Sequence, residues 1–329
     1  MPEPILLSPE TQRAVIAEAA RAPSVHNVQP ARWRFGGDGS VLLLRELGRE
    51  LSVGDPSGHD LSASLGAAYE GMQIALSRLG FRLVDPTEDR ATLEGSHQSI
   101  LRSQLERGAE LDALSAYVGA RHSYRGKFRP VRSPSIPQLD DTVVLTRADV
   151  IERVAMLHDT ATWHFESQRR YHAELWSWLR LNPSDPRYSL DGLNADCLSL
   201  SAIERVAARI ALRPAVFAAL SRVRIGRQLV SERAQVRSAS AIVLFTPLAT
   251  RSAFDVGRRF YRLWLELTRA GVHVAPMSAS SDHAPTRTVL ATDYGVSPDR
   301  RIANVLRVGS IDESKVAVSP RLPVDELAV

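Results

Sequence analysis

Twice in this chain a long helical pattern ends on a glycine and gives way at once to a short apolar strand. Between residues 60 and 79, Leu61, Leu65, Ala68, Met72, Ala75 and Leu79 recur near helical spacing. Gly80 then stands where a helix closes in the left-handed conformation, and 81–84 reads as a strand. Residues 255–270, Gly271 and 272–275 repeat the arrangement. A helix with so broad an apolar face must be buried against other elements, so two such units predict two related α+β halves in one chain.

The flanking segments extend this reading. Ser8 followed by Pro9 starts a helix over 9–21, and 32–35 and 41–45 on either side of Gly36-Gly37-Asp38-Gly39 form a hairpin. Residues 98–107 fit strand or helix equally. In the second half, 142–145, 239–245 and 302–308 read as strands, and 149–181, 202–211, 215–235 and 286–294 as helices. Residues 182–199 have no period, and an aperiodic run of that length between helices reads as a lid.

Composition removes several classes of function. With 44% apolar and 24% charged residues the chain is globular. It contains no apolar run of membrane-spanning length and no basic leader ahead of its first apolar residues, so a cytoplasmic protein with no membrane partner is expected. Cys197 is the only cysteine, which excludes intrachain disulfides and cysteine-based metal sites and leaves an ordinary thiol. The net charge is +4, and every basic residue but Lys127 and Lys315 is arginine, so Schiff-base chemistry has two candidates. The arginines alternate with acids along the helices, without the aromatic-interleaved stripe that nucleic acid requires.

No glycine-rich dinucleotide motif, P-loop, Gly-x-Ser-x-Gly or His-Glu-x-x-His occurs. His158, His164 and His172 do not stack on one helical face, so no metal site is expected and they read as solvated or capping residues. Trp163, Trp176 and Trp178 read as core packing.

Four segments carry a family resemblance. Residues 22–30, Ala-Pro-Ser-Val-His-Asn-Val-Gln-Pro, resemble the Ala-Pro-Ser-x-x-Asn-x-Gln-Pro segment of the FMN-dependent nitroreductase superfamily. Residues 121–128, Arg-His-Ser-Tyr-Arg-Gly-Lys-Phe, are similar to its Arg-x-Ser-x-Arg signature. Residues 255–278, ending in Pro276-Met277-Ser278, resemble its buried helix and flavin-contacting strand, and 306–309 with 319–323 resemble its last strand and terminal basic residue. The order of these segments and the chain length resemble the double-length Acg-like branch, in which two nitroreductase-like halves are fused as a pseudo-dimer. The likeness covers roughly residues 10–325, with 148–235 matching in style only.

The resemblance implies an N-terminal half at 1–115, a C-terminal half at 116–329 with the lid-like insertion near 182–199, and antiparallel or mixed sheets flanked by helices. It implies one FMN per chain, held by Pro23, Ser24, Val25, Asn27, Gln29, Arg121, His122, Ser123, Arg125, Pro276, Met277, Ser278 and Arg321, in a monomeric pseudo-dimer or a homodimer. The chemistry of these residues agrees. Arg121, Ser123 and Arg321 supply phosphate donors, and Asn27 and Gln29 carry amides suited to the pyrimidine edge or the ribityl hydroxyls. Arg125 or Lys127 would favour negative charge on a reduced ring.

No catalytic side chain is required, because the flavin carries the chemistry. The implied function is an oxidoreductase that passes hydride through flavin N5 to an electron-poor small molecule, with NAD(P)H as donor. An FMN-sequestering or storage protein without turnover, or flavin-dependent tailoring of a specialised metabolite, is the alternative.

Overall fold

The computed structural model describes residues 4–89, 95–129, 136–312, 316–317 and 319–329; Lys315 lies outside these. The first half begins with α1 (Pro9–Ala19), whose N-terminus is capped by the Ser8 hydroxyl as Ser8-Pro9 predicts. The hairpin β1 (Ala31–Phe35) and β2 (Ser40–Glu46) follows, then α2 (His59–Ser77), β3 (Phe81–Glu88) and β4 (His97–Arg107). All pairings in this sheet are antiparallel, in the order β1-β2-β4-β3.

The second half opens with β5 (Thr142–Leu145). Helices α3 (Ala148–Glu166) and α4 (Arg169–Trp178) follow, then the short parallel pair β6 (Leu179–Arg180) and β7 (Leu193–Asn194). Next come α5 (Ala202–Ala211), α6 (Pro214–Arg222), α7 (Gly226–Leu229), α8 (Arg233–Arg237) and β8 (Ala241–Phe245). The chain continues through α9 (Ala253–Arg269), β9 (His273–Pro276), α10 (Ser278–Asp282), α11 (Ala284–Asp293) and β10 (Asn304–Gly309) to α12 (Val324–Leu327). The second sheet is antiparallel in the order β5-β8-β10-β9.

The two sheets have one topology. In each, the second strand leads into a long helix, the next strand takes the far edge, and the last returns between them. The four-residue hairpin connection of the first half is replaced in the second by the helices and loop of 148–237. The fold is therefore α+β, built of two related halves with antiparallel sheets flanked by helices, as the repeated helix-glycine-strand pattern predicts.

The halves meet where α2 crosses α9. A Cβ added to Gly66 would stand 1.9 Å from the carbonyl oxygen of Phe254, and one added to Gly257 would stand 1.9 Å from that of Ala63. Each helix thus gives up a side chain where the other's backbone passes. The apolar interior follows this arrangement. Tyr261 and Leu265 of α9, and Leu322 and Leu327 of the C-terminal tail, lie in the first half's core with Met72 and Leu76. Strand β8 is buried on both faces, Ile242 and Leu244 toward one cluster and Val243 and Phe245 toward the other, which explains its unbroken apolar run.

Several elements differ from expectation. Segment 98–107 is a central strand whose period is hidden, because its inward positions Ser99 and Ser103 are small and polar, the latter bonding Tyr69 across 3.1 Å. The helical pattern over 149–181 breaks at Ser167 and Gln168, and that over 215–235 divides into three short helices. His158 and His172 are buried rather than solvated. His158 lies 2.9 Å from the Ser280 hydroxyl and 3.2 Å from Glu232, while His172 stacks on Phe217 at 3.9 Å and bonds Glu166. Trp163, Trp176 and Trp178 are half-buried; the buried tryptophans are Trp33 and Trp264. No helix among the described residues is long and apolar enough to cross a membrane.

Candidate functional site

The segment after α1 is built around left-handed backbone. His26, Asn27 and Gln29 have φ of 47°, 56° and 49°, a conformation that costs free energy in non-glycine residues and persists only where neighbours enforce it. The enforcement is visible. Ser24 Oγ accepts from the Gln29 N–H at 3.0 Å, and Gln29 Nε2 donates to the Leu190 carbonyl at 2.8 Å while its Oε1 accepts from the Leu322 N–H at 2.9 Å. Asn27 Nδ2 donates to the carbonyls of Gly192 and Pro320 at 3.2 and 3.1 Å, and its Oδ1 accepts from Arg321 Nη1 at 3.0 Å. The two amides thus bind three parts of the chain to one another: this segment, 190–192 and the tail.

Residues 182–199 are held from the other side as well. Asp191, 1% exposed, accepts from Arg49 at 3.2 Å, from Arg180 at 2.9 Å and from Arg187 Nε at 2.9 Å. Burial opposes its charge, yet the bond from Arg187 and the charges of Arg180 and Arg187 keep its carboxyl below the ordinary range. The second part of this run, Asp191 to Ala195, is buried, and Pro183 and Ser184 are exposed.

Arg121 and Arg321 converge beside this knot. Arg121 Nη2 and Arg321 Nη2 both donate to the carbonyl oxygen of Arg21, at 2.8 and 3.2 Å. Arg121 lies over the Trp264 ring at 4.7 Å and is 7% exposed. Neither guanidinium has a carboxylate within ion-pair distance among the described residues, and both Nε atoms are buried without a hydrogen-bond partner. Burial, and for Arg321 the neighbouring charge of Arg121, lowers both groups, Arg321 to about 9. Two cations forced together out of water are tolerable when an anion lies between them and the solvent.

A cavity of about 460 Å³ opens on these groups, with Arg21, Arg121 and Arg321 on its wall, Trp264 behind them, and His122 and His273 across it, their rings 5.1 Å apart. The wall is shaped by strand pairing, since Ser123 bridges to Val274 and the Tyr124 N–H donates to the Val274 carbonyl at 2.9 Å, extending the edge of the second sheet. Sequence reasoning named Arg121, His122, Ser123 and Arg321 here but missed Arg21, Trp264 and His273. The last begins a strand at the sheet edge, a signal open to inspection once that strand is recognised.

The other candidate residues lie farther out. Pro23, Ser24 and Gln29 line a separate small recess of about 30 Å³. Val25 is half-buried, its N–H directed at the Ser64 hydroxyl at 3.4 Å. Pro276 and Ser278 flank Met277, which is 1% exposed in the second core and bonds Val305 through its N–H, so these three stand at the opposite end of β9 from His273. Lys127 is exposed.

Arg125 lies where charge matters. Burial and the charge of Arg125 push the His26 imidazole down to about 4, so it is neutral at physiological pH. Burial works against ionisation of Glu232, but the bond with His158 and the charges of Arg307 and Arg125 outweigh it. Burial raises the Cys197 thiol, against the influence of Arg125 and Arg321, so it is not a reactive thiolate. Among the described residues no cluster of His, Cys, Asp and Glu suits a metal ion.

No family model matches the chain. Two curated relatives, both from Mycobacterium tuberculosis and named "Putative NAD(P)H nitroreductase MT3217" and "Putative NAD(P)H nitroreductase Rv3131", are each 40% identical to it over 182 residues. Each match takes in 51% of this chain and 51% of the relative, so the chain spans about half the length of the curated relatives it matches. Among solved structures, a nitroreductase from Anabaena variabilis aligns with 94% of the chain at 10% identity and a TM-score of 0.45. The FMN-dependent nitroreductase NfnB from Mycobacterium smegmatis, in complex with NADPH, aligns with 64% at 15% identity and a TM-score of 0.34.

Proposed function

We propose that this chain is an FMN-dependent oxidoreductase of the nitroreductase superfamily, in its double-length branch, with halves at 1–115 and 116–329. It takes reducing equivalents from NAD(P)H and passes them to an electron-poor small molecule in the cytoplasm. The observation that carries this reading is the pair Arg121 and Arg321: a buried and a half-buried guanidinium whose Nε atoms are buried without a partner, with no carboxylate in ion-pair range among the described residues, facing a cavity within the volume range of small-molecule sites. The 40% identity to curated relatives named as nitroreductases supports the same class.

The residues fit a phosphate-bearing flavin. Arg121 and Arg321 would hold the phosphate through charge-assisted bonds: each gives an Nη2 donor to the Arg21 backbone carbonyl and keeps its buried Nε without a partner. FMN supplies hydride acceptance and donation at its ring nitrogen N5. The chain's own duties are to bind, orient and tune. Asn27 fixes the direction of Arg321, His26 stays neutral and adds no charge, and Arg125 places a cation near His26. Trp264 covers one face of the Arg121 guanidinium.

The test is anaerobic mixing of the FMN-loaded protein with NADH and with NADPH, following the flavin absorbance. Rapid bleaching by either nucleotide is the expected result. Bleaching by dithionite alone would set the reductase reading aside in favour of sequestration.

A further inference from the structure

Helix α5 is turned inside out. Ile203, Val206 and Ile210 are 83%, 55% and 56% exposed, and at spacings of three and four they form a single apolar stripe facing solvent. Arg205 and Arg209, on the opposite side, are the half-buried ones. The next helix returns beside it, because only Leu212 and Arg213 separate α5 from α6 and the two helices touch. Just beyond α6, Val223, Ile225 and Leu229 are also exposed.

The same segment is where the chain concentrates its positive charge. Residues 202–237 hold eight arginines against Glu204 and Glu232; Arg227 pairs with Asp159, and Arg233 and Arg237 with Glu152 of α3, which leaves the segment positive. The alternation of arginines with acids expected from the sequence fails here. Arg222, Arg224 and Arg227 are exposed among Val223, Ile225 and Leu229.

We propose that this helical hairpin docks the protein on an anionic lipid surface, with the aliphatic side chains entering the headgroup boundary and the arginines paired with lipid phosphates. Aliphatic residues interleaved with exposed arginines are what a monotopic amphipathic element requires. Charge weighs against the simplest competitor, since a two-fold contact between copies would bring the exposed Arg222 and Arg224, for which the described residues show no ion pair, toward the same residues of the second copy. The apolar residues are aliphatic and Phe217, the segment's only aromatic residue, is 3% exposed, so there is no stacking platform for nucleic acid.

The experiment is vesicle co-sedimentation of the full chain, using phosphatidylcholine alone and phosphatidylcholine with phosphatidylglycerol in equal parts. Binding at least about tenfold stronger to the anionic vesicles is expected, falling as salt approaches about 1 M, where the screening length is about 3 Å. Ile203→Asp/Ile210→Asp should abolish the anionic binding, and Arg222→Gln/Arg224→Gln should weaken it about tenfold or more, with circular dichroism and melting temperature unchanged because all four side chains are exposed. Absence of sedimentation at low salt would overturn the proposal. So would undiminished binding by the Ile203→Asp/Ile210→Asp variant, or light scattering that shows a dimer dissociated by that variant.

Discussion

Gly66 and Gly257 are reciprocal: each lies against the backbone of the helix that carries the other, Gly66 at the Phe254 carbonyl and Gly257 at the Ala63 carbonyl. The contact relates α2 to α9 as the two sheets are related, and it lets the long helices pass close enough to share one core. A methyl group at either site meets backbone, which cannot swing aside. Gly66→Ala and Gly257→Ala should each destabilise the fold by about 1–3 kcal/mol, read as lower urea midpoints. Equal midpoints for wild type and both variants would mean that the crossing can widen freely.

Asp60, in the first turn of α2, and Asp282, at the end of α10, form a pH-sensitive pair. Burial and then the neighbouring carboxyl push Asp60 up to about 7, and burial raises Asp282 to about 6. An acid whose folded pKa lies above its unfolded value holds its proton in the native state while the unfolded chain loses it. Stability is therefore lost as pH rises from about 4 through about 7. Asp60→Asn removes that penalty, so its denaturation midpoint relative to wild type should be higher at pH 8 than at pH 5. A midpoint difference independent of pH would show that Asp60 is ionised throughout.

The repeated helix-glycine-strand pattern made the duplicated fold legible because it reports burial directly. Local periodicity failed where tertiary contacts override it. Ser99 and Ser103 conceal a central strand, and His158 and His172 become interior once Ser280, Glu232 and Phe217 arrive from remote segments. At the site, Arg121 and Arg321 were legible as cations for an anion, but their convergence on the Arg21 carbonyl brings together residues 100 and 300 positions apart, which no spacing rule encodes. The amides of Asn27 and Gln29 are engaged by remote backbone for the same reason.

Asp191 ties residues 182–199 through Arg49 to the Val28 carbonyl, in the segment that carries Asn27 and Gln29, and a lid that moves must work against it. Removing one partner of a buried ion cluster leaves like charges unbalanced. Asp191→Ala should cost about 3–5 kcal/mol or lead to local opening, with limited proteolysis cutting within 182–199 faster than in wild type. In the wild type, cutting should begin near the exposed Pro183 and Ser184, and FMN should slow it. Equal cleavage rates with and without FMN would remove the lid from the account.

The guanidinium pair gives the sharpest prediction about the cofactor. The chain has one Arg-x-Ser-x-Arg segment and one Ser-x-x-Asn-x-Gln-Pro segment, so one FMN per chain is expected in spite of two related halves. Arg121 is buried and aimed at the cavity, and loss of one charge-assisted phosphate bond is worth about 1.5–3 kcal/mol. Arg121→Ala should weaken FMN binding by about 10- to 150-fold. Asn27→Ala acts through the orientation of Arg321 and should cost less, about 0.5–1.5 kcal/mol. Equilibrium dialysis with free FMN reads both values without relying on turnover. A ratio near two FMN per chain, or wild-type affinity in Arg121→Ala, would place the phosphate elsewhere.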